Sequence, residues 1–237
     1  DSTNFFVPEF GYNYMLKSDL SLGVSVYGNG GMNTDYPGGQ LNCGMGPAPA
    51  NMLCGSGELG VDLMQLIIAP TVAYKFHPQH AVGVSLLLGY QRFKAEGLQA
   101  SDNAPGFPPF TSAPGYVTNN GYDSSSGWGV RIGYQGEFDG FRLGAVYSSK
   151  MQMSSFDKYK GLFAEQGGFD IPASYGVGAA FTGLKDWTFA FDWMYIDYSD
   201  VPSIANKGMT GAPLGANNGP GFGWQSVNVY KIGVEYQ

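Results

Sequence analysis

The sequence is poor in charge. Only 13% of its 237 residues are Asp, Glu, Lys or Arg, and their net charge is −7. A nucleic-acid-binding domain normally presents a basic surface, so nucleic acid is not an expected partner. No run of about eighteen apolar residues occurs, which excludes a transmembrane helix. With two histidines and no Gly-x-Ser-x-Gly motif, the sequence gives no support for an enzyme, and no cofactor is expected.

What the sequence has is glycine, with 37 residues, and aromatic side chains, at 15% of the chain. The segment 187–198 shows how they are arranged. Its odd positions from Trp187 to Tyr195 are all aromatic, while its even positions include Ala190 and Asp192. A strand places alternate side chains on opposite faces. Large apolar groups on one face and small or polar groups on the other suit a barrel strand between lipid and lumen, or the core strand of a soluble sandwich.

The connections between the predicted strands decide between these two folds. About nine alternating segments occur, and short turns such as 17–19 and 139–140 alternate with long Gly-rich or Pro-rich loops. Segregation of loop lengths to the two ends is typical of bacterial outer-membrane barrels. We therefore predict an all-β fold, a transmembrane antiparallel up-and-down β-barrel forming a single domain over 1–237. The extracellular loops are expected at about 30–58, 98–126, 154–168 and 199–224. Because barrel strands come in even numbers, nine strands indicate part of a larger barrel.

Three local details are also predicted. The strand that starts at Leu20 loses its alternation at residues 27–31, where the glycines indicate a bulge, a bend or a close backbone approach, and a loop follows. The apolar parity changes near Met64, which predicts a β-bulge there. Residues 154–168 have apolar spacing that fits a short amphipathic helix.

The two cysteines, Cys43 and Cys54, lie in one Gly/Pro-rich segment. Two cysteines in one loop of a strand-rich protein predict a disulfide in an oxidising compartment. A metal site needs more ligands than this segment offers, and the two histidines, His77 and His80, lie at a distant turn. No metal is expected.

Several segments together resemble the FadL-type outer-membrane transporters of long-chain fatty acids and hydrocarbons. They are Leu20–Gly31, the Gly127-Trp128-Gly129 segment and Ile171-Pro172-Ala173, followed by the aromatic strand from Trp187. No single segment is specific, but their order and spacing are fairly specific. The resemblance implies a fourteen-stranded barrel with an N-terminal hatch, of which this chain covers the second to about the tenth strand.

The resemblance also implies a function. It is passive transport of a hydrophobic small molecule across the Gram-negative outer membrane, with lateral exit through a gap in the barrel wall. The gap would fall at Gly28, Asn29, Gly30 and Gly31, unless these residues only begin a loop. Outer-membrane lipid and lipopolysaccharide are the expected surroundings. The alternative is an adhesin or receptor barrel that acts through its loops, and the oligomeric state is left open.

Candidate ligand contacts are of two kinds. Loop side chains either resemble the family's surface groove for hydrophobic ligands or only pack on each other: Phe107, Phe110, Phe156, Leu162 and Phe163. Basic residues would hold a carboxylate head group, namely Arg92, Lys94 and Arg131. Arg142 and Lys150 also face the lumen by parity. Any of these cations could instead be solvated or paired with Asp192 or Glu137.

Overall fold

A computed structural model describes residues 7–39, 41–44, 49–102, 110–208 and 211–236. Its strands form one antiparallel sheet in which long strands pair in chain order. They are β1 (Glu9–Met15), β2 (Leu20–Tyr36), β3 (Leu59–His77), β4 (His80–Glu96), β5 (Asp123–Phe138), β6 (Phe141–Ser148), β7 (Gln152–Met153), β8 (Ser174–Leu184), β9 (Trp187–Ile196) and β10 (Val227–Tyr236). The short β7 pairs with β5, beside the path formed by the nine other strands. The predicted fold, an antiparallel up-and-down sheet of about nine strands, is confirmed as a half-barrel.

Helical structure is confined to short turns between strands. They are α1 (Gln99–Asp102), α2 (Ala164–Gly167), α3 (Pro202–Ala205) and two 3-10 turns, Asp157–Tyr159 and Tyr198–Asp200. The amphipathic helix predicted over 154–168 is wrong, because α2 contains Glu165 and Gln166 with left-handed φ angles of 56° and 53°. Among the described residues, no helix is long and apolar enough to cross a membrane.

The cross-strand register defines two faces of the sheet. One row joins Val82, Tyr134, Ala145, Val177 and Trp193, each paired with the next. Large apolar side chains on this face remain exposed, for example Phe191 at 46% and Ile232 at 83%. The other face carries Asp192 opposite Lys231. Apolar groups facing out and polar groups facing in form the wall of a membrane barrel.

The strand β2 is longer than its sequence indicates. It continues through the glycines to Tyr36, so the connection to β3 covers 37–58 rather than the expected 30–58. Its pairing with β3 shifts register between Gly28 and Gly30, which leaves Asn29 outside the ladder. The pairing of β3 with β4 runs without a shift from Gly60 to Ile68. The β-bulge predicted at Met64 therefore lies on the neighbouring strand instead.

The connection between β2 and β3 contains the predicted disulfide. Cys43 and Cys54 are joined, with an S–S distance of 2.05 Å. Within the same loop, the buried Asn51 accepts hydrogen bonds from the backbone N–H groups of Leu53 and Gly55, both 3.0 Å long. Its side-chain nitrogen donates to the carbonyl of Gly97 at 2.9 Å. The loop is thus fixed to the end of β4.

Buried apolar side chains lie on the inner face of the sheet in two groups. The first, which we call the loop-side cluster, contains Leu63, Phe93, Ala95, Phe156, Tyr159, Phe163, Phe169, Val201 and Ile204. The second, the mid-barrel cluster, contains Ile67, Ala69, Leu87, Met151 and Ile171. In both clusters, residues of β3 and β4 pack against segments that follow β6. The inner face of β3 and β4 is therefore covered by the chain itself.

Candidate functional site

The four residues 28–31, which we call the glycine bulge, pass close to their neighbours. A Cβ on Gly30 would lie 3.3 Å from Oε1 of Gln65, and one on Gly31 would lie 3.0 Å from the carbonyl oxygen of Leu63. At Gly28 the nearest atom would be Cγ1 of Val7, at 2.8 Å. A side chain at any of these positions would push on the wall, which explains why glycine suits them.

The ladder between β1 and β2 stops at the same place. Its last pair is Glu9 with Tyr27, followed by a hydrogen bond of 3.3 Å from Gly28 N–H to the carbonyl of Pro8. Beyond this point, within the described residues, the segment Gly30–Tyr36 pairs with β3 alone. Barrel walls are held together by continuous ladders, so the register shift at the bulge marks a local irregularity in the wall.

A chain of side-chain amides crosses the inner face at the level of the bulge. Nδ2 of Asn29 donates to Oε1 of Gln65 at 3.1 Å, and Nε2 of Gln65 donates to Oε1 of Gln91 at 2.9 Å. Nε2 of Gln91 in turn donates to the carbonyl of Phe169 at 2.8 Å and to Oγ of Ser125 at 3.3 Å. We call Asn29, Gln65 and Gln91 the amide chain. It separates the loop-side cluster from the mid-barrel cluster.

The candidate loop aromatics are placed inside rather than on the surface. Phe156 and Phe163 are 0% and 5% exposed, and their ring centroids lie 5.7 and 4.7 Å from that of Phe93. Leu162 is half-buried against the same cluster. The exposed groove expected from these residues is therefore not formed by them; they pack on each other and on β4. Phe110 remains exposed, whereas Phe107 lies outside the described residues.

A buried tyrosine completes the loop-side cluster. The hydroxyl of Tyr159 donates to the carbonyl of Gly121 at 2.6 Å and accepts from the N–H of Ala95 at 3.1 Å. Burial raises the pKa of Tyr159, because the phenolate would lose its hydration. The neutral phenol thus joins β4 to the loop that covers it.

Two of the candidate cations lie on the outer face, away from both clusters. Like Val82, they occupy even-numbered positions of β4, whose side chains point outward. Nη2 of Arg92 lies 3.0 Å from Sδ of Met64, and Nζ of Lys94 lies 2.9 Å from Glu96. The Arg92 guanidinium also lies 4.6 Å above the ring of Tyr122. Neither Arg92 nor Lys94 can hold a ligand that sits on the inner face.

Arg131 does face the lumen. Its Nε donates to Oγ of Ser148 at 2.8 Å, and its Cζ lies 5.7 Å from the ring centre of Tyr27. It makes no ion pair with any described residue, whereas Arg142 lies 3.4 Å from Glu137. The hydroxyl of Tyr27 is buried without a hydrogen-bond partner in the described part of the chain. A cation and an unused hydroxyl therefore lie beside the mid-barrel cluster.

Lys150 is the third lumen-facing cation, and it is already paired. Its Nζ lies 3.2 Å from Asp170 and 3.5 Å from Asp200. Pairing with carboxylates, which the sequence left open, thus applies to Lys150 and to Arg142, although Lys150 uses different partners from those considered.

The inner face of the later strands is open. A groove of about 540 Å³ runs over β6, β8 and β9, where the side chains are small or charged. Its inner lining includes Gly144, Gly178, Ala190, Asp192 and Lys231. Among the residues that the structure describes, no group of three His, Cys, Asp or Glu side chains could hold a metal ion.

The sequence did not single out Tyr27, Gln65 or Gln91. The two glutamines do leave a signal, since each is a long polar side chain among apolar residues of a strand. Because inward-facing polar residues are common in barrels, that signal does not show that the two amides meet.

An antiparallel up-and-down sheet with a lipid-type outer face and an inner face that is partly covered by its own loops defines a transmembrane β-barrel of the outer-membrane type. The chain belongs to the family described as outer membrane protein transport protein (OMPP1/FadL/TodX), whose model matches residues 2–237. The FadL-type resemblance is therefore confirmed, and so is the Gram-negative outer membrane as the location. No curated protein matches the sequence.

Solved structures with a similar fold come from the same group. The toluene transporter TodX of Pseudomonas putida is 20% identical with a TM-score of 0.60, over 85% of this chain and 57% of that one. The monoaromatic hydrocarbon channel CymD is 19% identical with a TM-score of 0.59, over 98% and 64%. A Pseudomonas aeruginosa FadL homologue is 12% identical with a TM-score of 0.57, over 96% and 55%. The chain thus spans little more than half the length of these structures.

Proposed function

We propose that the protein of which this chain is a part carries hydrophobic small molecules passively across the outer membrane, and that they leave sideways at the glycine bulge. The single observation that carries this proposal is the position of the bulge. Among the described residues the ladder with β1 ends there, Asn29 is left out of the ladder with β3, and apolar clusters lie on the inner face beside it.

The energetics of such a route need no catalyst and no ATP. An apolar ligand gains about 0.8 kcal/mol for each CH₂ group that it moves from water into an apolar environment. A path from the loop-side cluster to the membrane interior keeps the ligand in apolar surroundings. The polar groups on that path, the amide chain, are bonded to one another and so present few unsatisfied groups to a hydrocarbon.

Two substrate classes fit the lining, hydrocarbons and long-chain fatty acids. Hydrocarbons are the class for which TodX (toluene) and CymD (monoaromatic hydrocarbons) are described. A hydrocarbon would use the loop-side and mid-barrel clusters alone. A long-chain fatty acid would also place its carboxylate at Arg131, where the Tyr27 hydroxyl is unused. The adhesin or receptor alternative receives no comparable support, because the aromatic side chains Phe156 and Phe163 of the loop after β7 are buried inside.

The test uses Gly28→Val and Gly30→Val in the full-length protein. Uptake of radiolabelled toluene and oleate is measured in cells that lack another transporter of this family. Each valine would press on Val7 or Gln65 and occupy the position of the proposed exit, so it should lower uptake at least tenfold. The control is Gly133→Val on β5, where the nearest atom to an added Cβ is the Ala145 carbonyl oxygen at 3.8 Å.

Folding is monitored by heat-modifiable gel mobility and surface labelling. Gly133→Val should match the wild type in uptake, and all three variants should match it in folding. Unchanged uptake in well-folded Gly28→Val and Gly30→Val proteins would show that the ligand does not leave at the bulge.

A further inference from the structure

The amide chain is buried where a polar group is costly. Gln91 is 0% exposed and stands between the two apolar clusters, with Phe93 on one side of it along β4 and Leu87 on the other. A buried amide is tolerated only when its hydrogen bonds are satisfied. Both ends of the Gln91 amide are used, since its oxygen accepts from Gln65 and its nitrogen donates to Phe169 and Ser125.

The two ends of the amide chain lie at different places in the proposed transport path. One end is Asn29, which is exposed and is the residue that the register shift leaves out of the ladder. The other end is the carbonyl of Phe169. The ring of Phe169 belongs to the loop-side cluster and lies 4.9 Å from the ring of Phe163. The chain thus connects the wall opening with the residues that line the candidate binding region.

A ligand that enters the loop-side cluster must displace aromatic rings, because the cluster is closely packed. Movement of Phe169 that carries its backbone carbonyl along would remove the nearer of the two acceptors of the Gln91 nitrogen and leave only Ser125. Gln65 and Gln91 each act as both donor and acceptor, so each orients the next amide in the chain. We propose that Gln65 and Gln91 are positioning residues that hold Asn29 across the glycine bulge and release it when a hydrophobic ligand displaces Phe169. This inference rests on the lateral exit proposed above.

Removing the amide chain should therefore open the exit even when no ligand has displaced Phe169. Asn29→Ala removes the outer end, and the double variant Gln65→Met/Gln91→Met removes the inner links. Methionine resembles glutamine in shape, and replacing both partners of the Gln65–Gln91 bond by apolar groups is nearly neutral for stability. The carbonyl of Phe169 loses its donor in this variant, so its thermal stability is measured alongside uptake. Each change should raise the initial rate of toluene uptake about fivefold, which corresponds to the loss of one ordinary hydrogen bond.

The decisive variant combines all three substitutions. If the three side chains form one device, the combined variant takes up toluene about fivefold faster than wild type, no more than either parent does. If they act separately, their effects multiply to roughly 25-fold. Multiplication would overturn the proposal, as would unchanged uptake in folded Asn29→Ala protein. A purely structural role for Gln65 and Gln91 would alter thermal stability but would not produce this non-additive uptake.

Two further variants keep the test independent of folding defects. Asn29→Asp keeps the shape of an exposed residue but loses the donor to Gln65, so it should reproduce Asn29→Ala. Thr71→Val removes a different side-chain bond between β3 and β4, the 2.8 Å contact with Ser85, and should leave uptake unchanged. An Asn29→Asp protein with wild-type uptake would also contradict the proposal.

Adding Gly30→Val separates this inference from the function on which it rests. In the Gln65→Met/Gln91→Met background, Gly30→Val should return uptake to the level of Gly30→Val alone. If Gly30→Val blocks uptake but the effects of the amide-chain variants on uptake multiply, the lateral exit is supported and the positioning role of Gln65 and Gln91 is wrong. If Gly30→Val has no effect in either background, the lateral exit itself is wrong.

Discussion

The two halves of the wall share an outer face but differ on the inner face. On β3 and β4 the inward side chains are large and covered, as with Leu87 and Phe93, which are both 1% exposed. On β6, β8 and β9 most inward side chains are small or charged, and they line an open groove. The outward side chains are large and apolar in both halves, for example Val84 and Phe191.

This difference shows that the composition of the two faces is determined by different surroundings. The outer face meets lipid along the whole wall, so its composition is uniform. The inner face meets whatever the loops place against it. Where the segment after β7 folds inward, the strands carry a packed core; where nothing in the described chain covers them, small residues such as Gly144 and Gly178 leave space.

The largest expected effect comes from removing a ring in the covered half. Phe93→Ala should destabilise the folded protein by about 3–5 kcal/mol, because it leaves a cavity between Phe156, Tyr159 and Phe163. In the open half, Val146→Ala should cost no more than about 1 kcal/mol, since Val146 is already partly exposed. Urea unfolding of the full-length protein in lipid vesicles measures both values.

Equal costs for these two substitutions would break the comparison between the halves. A small loss for Phe93→Ala would mean that the loop does not pack on β4 as the structure shows. A large loss for Val146→Ala would mean that other parts of the full-length protein cover the groove. Both variants keep the outer face unchanged, so insertion into lipid is not altered directly.

An intermediate effect is expected at Arg131, where the two halves meet. Arg131→Met should lower oleate uptake about tenfold, the change expected when a charge-assisted hydrogen bond to a carboxylate is lost. Toluene uptake should stay the same, because toluene has no acceptor. Arg142→Met is the matched control, since Arg142 is paired with Glu137. Equal losses of oleate and toluene uptake would show that Arg131 acts on folding rather than on the head group.

The sequence predicted the outer face well, because alternation against lipid is a strictly local pattern. It predicted the turns, the disulfide and the number of long strands for the same reason. The sequence-based prediction was wrong where the inner face carries apolar side chains instead of the polar ones that barrels usually have there. Val61 and Leu63 face the lumen under the loop and belong to or pack against the loop-side cluster, so their apolar character gave the false impression of a bulge in β3.

The glycines of β2 were only partly interpreted from the sequence. Gly28, Gly30 and Gly31 weaken a strand by propensity, so the sequence indicated a bulge, a bend or a close backbone approach there, but also a loop from about residue 30. In the fold the ladder with β3 resumes at Gly30 opposite Gln65, since a bulge absorbs the single extra residue. The amide chain was equally hidden, because it joins residues that are 36 and 26 positions apart in the chain.

The smallest expected effect concerns the rim of the open half, just after β9. Hydrogen bonds from Ser199, at 2.6 Å, and from Ser226, at 2.7 Å, lower the pKa of the Asp197 carboxyl. A lowered pKa in the folded state adds stability above the ordinary pKa of Asp, and this stability is lost as the pH falls through the lowered value. The effect should be small, because Asp197 is near the surface and solvent screens its interactions.

Trp224 reports on this rim, because its ring lies 5.8 Å from that of Tyr198. We expect its fluorescence to change on acidification below the ordinary pKa of Asp, and Ser226→Ala should move the midpoint to higher pH. Asp197→Asn should abolish the change, since an amide still accepts hydrogen bonds but does not titrate. The covered half should respond at the opposite end of the pH scale, because burial raises the pKa of Tyr159 and its stabilisation is lost only as the pH rises. An acid transition that persists in Asp197→Asn would place the titrating group elsewhere and remove this distinction between the halves.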